Sequence, residues 1–143
     1  MPSYETSLRI EASPARVWAV TADVESWPDW SPTMDAVTRG DSGPIRAGST
    51  ALVRQPKLRP ATWVVDDATP DTRFVWHTAG RGYRVMATHL LRPHEGVEDR
   101  TTVMLGIAMT GPLAPVLWAL TGRTARRYLD EEAVALKRRC ESA

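Results

Sequence analysis

The side chain in this sequence best suited to moving a proton is His89. It lies in Val85-Met86-Ala87-Thr88-His89-Leu90-Leu91, and strand alternation groups it with Val85, Ala87 and Leu91. An imidazole on such a face can serve as a neutral acid or base near physiological pH. The plainer reading is a hydrogen-bonded histidine of the core or its rim. Arg54 and Gln55 are neighbours on another expected strand, so only one of them faces inward. Gln55 shares its parity with Ala51 and Val53, and Arg54 with Leu52. Either can donate to a ligand carbonyl, and the other is then an outer-face residue. Tyr83, at the start of a strand, is a lesser donor.

Aromatic residues are the second candidate set. Six tryptophans stand against one phenylalanine. Trp63 and Trp76 fall on adjacent strands, and pointing inward they would line a cavity. Flat aromatic walls offer a planar or conjugated ligand a large rigid contact area. Taken singly, packing explains each of them slightly better. Trp18 reads as core, and Trp118, early in a long helix, can close the opposite end of a cavity.

Other chemistries find no support. The three histidines and Cys140 are scattered without metal-ligand spacing, so no metal is expected. Gly80-Arg81-Gly82 is too short for a nucleotide fingerprint, and neither a nucleophile elbow nor a phosphate loop occurs, so no cofactor is expected. The acidic run Asp130-Glu131-Glu132 reads as a solvated helix face, with Arg123, Arg126 and Arg127 as its counterpart. A formal charge of +1 argues against nucleic acid and against an anionic membrane. Basic residues are almost all arginine, with Lys57 and Lys137 the only lysines, and asparagine is absent. That bias reads as codon usage. A lone cysteine forms no intrachain disulfide. Met1-Pro2-Ser3-Tyr4-Glu5 has neither a basic start nor an apolar core, so a cytoplasmic protein is the default expectation.

The elements that position these residues are legible in turn signals and periodicity. Ser3 to Glu11 alternates, with Tyr4, Thr6, Leu8 and Ile10 on one side. Ser13-Pro14 caps a short helix that buries Val17, Trp18 and Thr21. Asp23 can cap a second, brief helix that Pro28 limits. Six short strands follow, at 34–39, 49–55, 62–68, 73–78, 83–92 and 100–110, separated by Gly, Pro and Asp turns such as His94-Glu95-Gly96. The apolar run from Val103 to Leu120 matches a membrane span in length, but Gly111-Pro112 and Pro115 split it into strand and helix, so no membrane insertion is expected. From Leu113 to about Cys140, apolar positions at Leu117, Thr121, Ala125, Leu129, Ala133 and Leu136 mark one long amphipathic helix. The expected fold is α+β, a single domain over 1–143. In it a curved antiparallel sheet grips the C-terminal helix, and two short helices follow the first strand. A curved sheet cannot close tightly along the whole of one helix, and a cavity between them is the natural consequence.

Ile10-Glu11-Ala12-Ser13-Pro14-Ala15-Arg16-Val17-Trp18, Val24-Glu25-Ser26-Trp27-Pro28-Asp29-Trp30 and the hairpin of Trp63-Val64-Val65 with Arg73-Phe74-Val75-Trp76 carry a family likeness. With the long helix, they resemble the START-like, Bet v 1-like superfamily of helix-grip proteins, and most closely its polyketide cyclase/dehydrase-type branch. The resemblance implies hydrophobic ligands in the cavity, and in some members cyclisation or aromatisation of polyketide chains. It places Trp27 and Trp30 near the pocket mouth, where ligand contact and plain packing fit Trp30 equally.

Three functions follow as expectations. The first is a carrier for a hydrophobic small molecule. The second is an aromatase/cyclase, with Gln55 or Arg54 polarising a carbonyl and His89 as base or acid. The third is an interaction module without a ligand, like the co-chaperone branch of the same fold. The residues do not fix an oligomeric state.

Overall fold

The structure, a computed structural model, describes residues 2–94 and 96–142; Glu95 of the His94-Glu95-Gly96 turn lies outside the described residues. Strand β1 (Ser3–Ile10) is followed by helix α1 (Pro14–Ala22), a 3-10 turn (Val24–Ser26) and helix α2 (Trp27–Trp30). Strands β2 (Ala36–Arg39), β3 (Thr50–Arg54), β4 (Ala61–Thr69), β5 (Arg73–Gly80), β6 (Tyr83–His94) and β7 (Val97–Thr110) then lead to helix α3 (Ala114–Glu141). The seven strands form one antiparallel sheet in the order β1-β7-β6-β5-β4-β3-β2. Each expected strand and helix is present, with ends within a few residues.

Local chemistry explains the boundaries. The Ser13 hydroxyl accepts from the Arg16 amide at 3.2 Å while Pro14 occupies the first helical turn. The Ser26 hydroxyl donates to the Asp23 carboxylate at 2.7 Å across the 3-10 turn. Pro28 behaves differently from the sequence expectation. It sits in the first turn of α2, where a missing N–H costs nothing, and so opens that helix instead of limiting the one before. Gly111 turns the chain from β7 into α3 with φ +105, and a Cβ there would meet the Gly82 carbonyl oxygen at 2.5 Å. The apolar run therefore does split into strand and helix, and among the described residues no helix is long and apolar enough to cross a membrane.

The register defines the concave face. Ala51 pairs Trp63, Val65 pairs Trp76, Phe74 pairs His89, and Ala87 lies between Trp76 and Ile107. A register shift between Val65 and Asp67 bends β4 against β5. Helix α3 crosses this face on the β1–β7 side and is buttressed by α1. The second half of its apolar stripe is sealed, with Leu129, Ala133 and Leu136 exposed by 8%, 4% and 2%. They pack with Ile10, Val17, Val103 and Leu105. The first half departs from the uniform stripe read in the sequence, because Leu117, Thr121 and Ala125 are only half-buried.

Candidate functional site

Ala87 and Ile107 face each other on the two strands in the middle of the sheet, on the face that α3 crosses. Both are nonetheless only partly buried, as is Tyr4, the partner of Ile107 on β1. Inward residues of central strands stay wet only where the covering layer stands off. The part of the sheet face left partly open is therefore the Ala87–Ile107 rung, which shares an apolar cluster with Leu117 and Trp118 of α3.

Beyond Trp76 the trough is filled. The Trp63 and Trp76 rings lie 5.3 Å apart, Phe74 is 5.0 Å from Trp76, and Trp27 packs edge-on to Trp76 at 5.3 Å. Trp63 and Trp76 point inward, as the sequence allows, but they pack on each other, and Trp76 also on Trp27 and Phe74. Such offset and edge-to-face contacts stabilise by about 0.5–1.5 kcal/mol each beyond area burial.

His89 is the next inward residue after Ala87 on β6 and is 4% exposed. Its ring stacks on Phe74 at 5.6 Å and tilts against Trp27 at 5.6 Å. Nε2 stands 3.6 Å from Oε2 of Glu132, which is itself 7% exposed on α3. Nε2 is the ring nitrogen turned toward the carboxylate, and Nδ1 has no hydrogen-bond partner among the described residues. The geometry couples an imidazole to a carboxylate inside an aromatic shell, an arrangement able to take and return one proton.

Glu132 corrects the sequence reading of Asp130-Glu131-Glu132 as one solvated face. Consecutive helical residues are about 100° apart, so three of them cannot share a face. Asp130 accepts from the Tyr4 hydroxyl at 2.8 Å and Glu131 from Arg127 at 2.9 Å, both at the surface, while Glu132 turns inward. The signal was available, since Glu132 is three residues after Leu129 and four before Leu136. Tyr128 was also missed. Its hydroxyl donates to the Pro56 carbonyl and ties the β3–β4 loop to α3.

The other candidates disperse. Gln55 is inward and Arg54 outward and exposed, which resolves their parity. The Gln55 amide donates to the Thr33 carbonyl at 3.2 Å. His89 is level with Phe74 and Ala68, whereas Gln55 lies beyond the Val53–Ala61 pair. Gln55 therefore lies several residues further along the sheet than His89, and its amide is engaged by the Thr33 carbonyl. The half-buried Tyr83 packs its ring over Gly80, where a Cβ would lie 2.3 Å from Cε1. Trp118 folds against Gly122 on its own helix, under the Arg126 guanidinium at 5.9 Å. Trp30 lies edge-on to Trp27 at 6.3 Å and borders two outer concavities. The larger, of about 530 Å³, runs between Trp30 and the last turns of α3. His77 is an outer-face residue, held 2.8 Å from Asp66. Cys140 is buried, and desolvation pushes its thiol up to about 11. Among the described residues, no group of three metal-binding side chains converges.

The fold recurs in solved structures. The aromatase/cyclase Zhui of a Streptomyces species shares 16% identity over 99% of this chain and 96% of its own, with a TM-score of 0.70. A START superfamily protein from Mycobacterium smegmatis shares 16% identity over 97% of both chains, with a TM-score of 0.69. The di-domain ARO/CYC BexL shares 18% over 96% of this chain and 46% of its own, with a TM-score of 0.75. No curated protein matches the sequence. Residues 1–141 match the family described as polyketide cyclase/dehydrase and lipid transport, and the chain belongs to that family.

Proposed function

We propose that this protein binds a hydrophobic small molecule in the trough beneath the first half of α3. The half-exposed Ala87–Ile107 rung carries this reading, because it is apolar, central and covered by a helix that does not seal it. Leu117 and Trp118 on the helix belong to the same apolar cluster as this rung and would lie along such a guest. A protein-interaction module with a filled interior accounts poorly for the open rung.

The finer reading is proton transfer within that guest. His89 lies one inward position along β6 from the open rung. A neutral imidazole there can remove an acidic proton from a carbon between two carbonyls, and the Glu132 carboxylate would stabilise the imidazolium formed. A carbonyl of the guest would also need a polarising donor, and we assign that role to neither Arg54, which is exposed on the outer face, nor Gln55, whose amide is already engaged by the Thr33 carbonyl. Family membership supports a cyclase step, and the residues we assign to it are His89 and Glu132.

Ala87→Phe tests the binding reading by filling the rung. The neutral fluorophore N-phenylnaphthylamine should show saturable enhancement with the parent protein and bind about tenfold more weakly to the variant. Circular dichroism should show both proteins folded. Equal binding by the two, or none by the parent, overturns the assignment.

A further inference from the structure

The outer groove has a polarity that the trough lacks. Its apolar surface comes from Trp30, Pro32, Val134 and Ala135, and its charged rim from Asp130 and Glu131 at one end and Arg138 and Arg139 at the other. The two ends are not equivalent. The acids are already engaged, Asp130 by the Tyr4 hydroxyl and Glu131 by Arg127. Elsewhere on the helix Glu141 is taken by Lys137. No carboxylate among the described residues pairs with Arg138 or Arg139. The neighbouring concavity adds Arg16, whose guanidinium donates to the Arg139 carbonyl at 3.3 Å.

Arginines in a last helical turn complement the macrodipole wherever they occur. That effect does not account for their bordering an apolar concavity with no carboxylate of the described residues paired to them. A volume of about 530 Å³ is within the range of small-molecule sites. A guest with an apolar body and one anionic end would match both parts, since guanidinium and carboxylate form paired charge-assisted hydrogen bonds. We infer that this groove is a second ligand site, separate from the trough, that takes an amphipathic carboxylate. The body lies on Trp30, Pro32 and Val134, and the carboxylate on Arg138 and Arg139.

Calorimetry with decanoate and its uncharged analogue decanamide tests this. Decanoate should bind saturably and decanamide about tenfold more weakly. Arg138→Gln/Arg139→Gln should remove that preference while leaving decanamide unchanged. Val134→Glu, at a side chain 48% exposed and so tolerant of charge, should weaken both. Ala87→Phe should leave decanoate binding intact. Equal affinity for the two probes, or decanoate binding indifferent to the arginines and Val134, overturns the inference. Loss of decanoate binding in Ala87→Phe would place the carboxylate in the trough instead, ending this proposal while sparing the first.

Discussion

The two halves of α3 meet the same sheet in different ways. From Leu129 to Cys140 the helix lies on Ile10, Val103 and Leu105 with α1 against its flank, and its inward side chains are sealed. From Leu117 to Ala125 its apolar side chains are only half-buried, and Ala87 and Ile107 of the same cluster remain partly open. Small side chains at Ala133 and Cys140 let the backbone approach closely at one end. At the other, Trp118 and Tyr128 are bulky, and Tyr128 is drawn to the β3–β4 loop. One amphipathic helix therefore seals a core at one end and leaves its inward face partly open at the other.

Substitution should separate the halves most strongly at Leu136. Leu136→Ala should cost about 2–5 kcal/mol in denaturant unfolding, because it leaves a cavity in a sealed cluster. Leu117→Ala should cost about 1 kcal/mol or less and act mainly on ligand affinity. Similar costs would mean that the front half is packed as tightly as the rear.

Glu132, in the first turn of the sealed half, should give the next largest effect. Glu132→Ala leaves a buried imidazole without its partner and should cost about 1–3 kcal/mol. Replacing the pair together, Glu132→Leu with His89→Phe, should restore parental stability or exceed it. That outcome would mark the pair as retained for chemistry. A double variant no more stable than the single one would make the pair structural.

Cys140 offers the smallest change and the sharpest check on sealing. Its thiol ionises near 11 in the folded protein against 9.0 for an ordinary thiol. Between those values the unfolded chain binds fewer protons, so this residue's contribution falls as pH rises above 9.0. At about pH 8 a thiol reagent should label Cys140 slowly, at a rate that follows global unfolding. Fast labelling without unfolding would show the rear half to be open.

Much of this was legible in the residues. Ser13-Pro14 marked the start of α1, and Gly111-Pro112 divided a stretch that hydropathy alone would have made a membrane span. Alternation grouped His89 with Val85, Ala87 and Leu91 and gave Gln55 the parity of Ala51 and Val53, while leaving open which of Arg54 and Gln55 turns inward. The sequence also put Arg54 and Gln55 close to the centre of the expected chemistry, but alternation carries no information about position along a strand relative to another. That is why alike parity did not make His89 and Gln55 partners: Gln55 bonds the Thr33 carbonyl while His89 faces Glu132. Glu132 was passed over for the opposite reason, since a run of acids was read as a block when helical rotation separates its members.

The order of elements, the inner and outer faces of each strand and the amphipathic face of α3 were set by the sequence itself. They depend on periods of 2 and 3.6 residues and on local caps and turns. Which half of α3 is sealed, that His89 meets Glu132 from 43 residues away, and that Arg138 and Arg139 border a groove with Trp30 were decided only by the tertiary structure. Those outcomes depend on register, sheet curvature and the bracing of one helix by another, which join segments distant in the chain and leave no periodic trace in it.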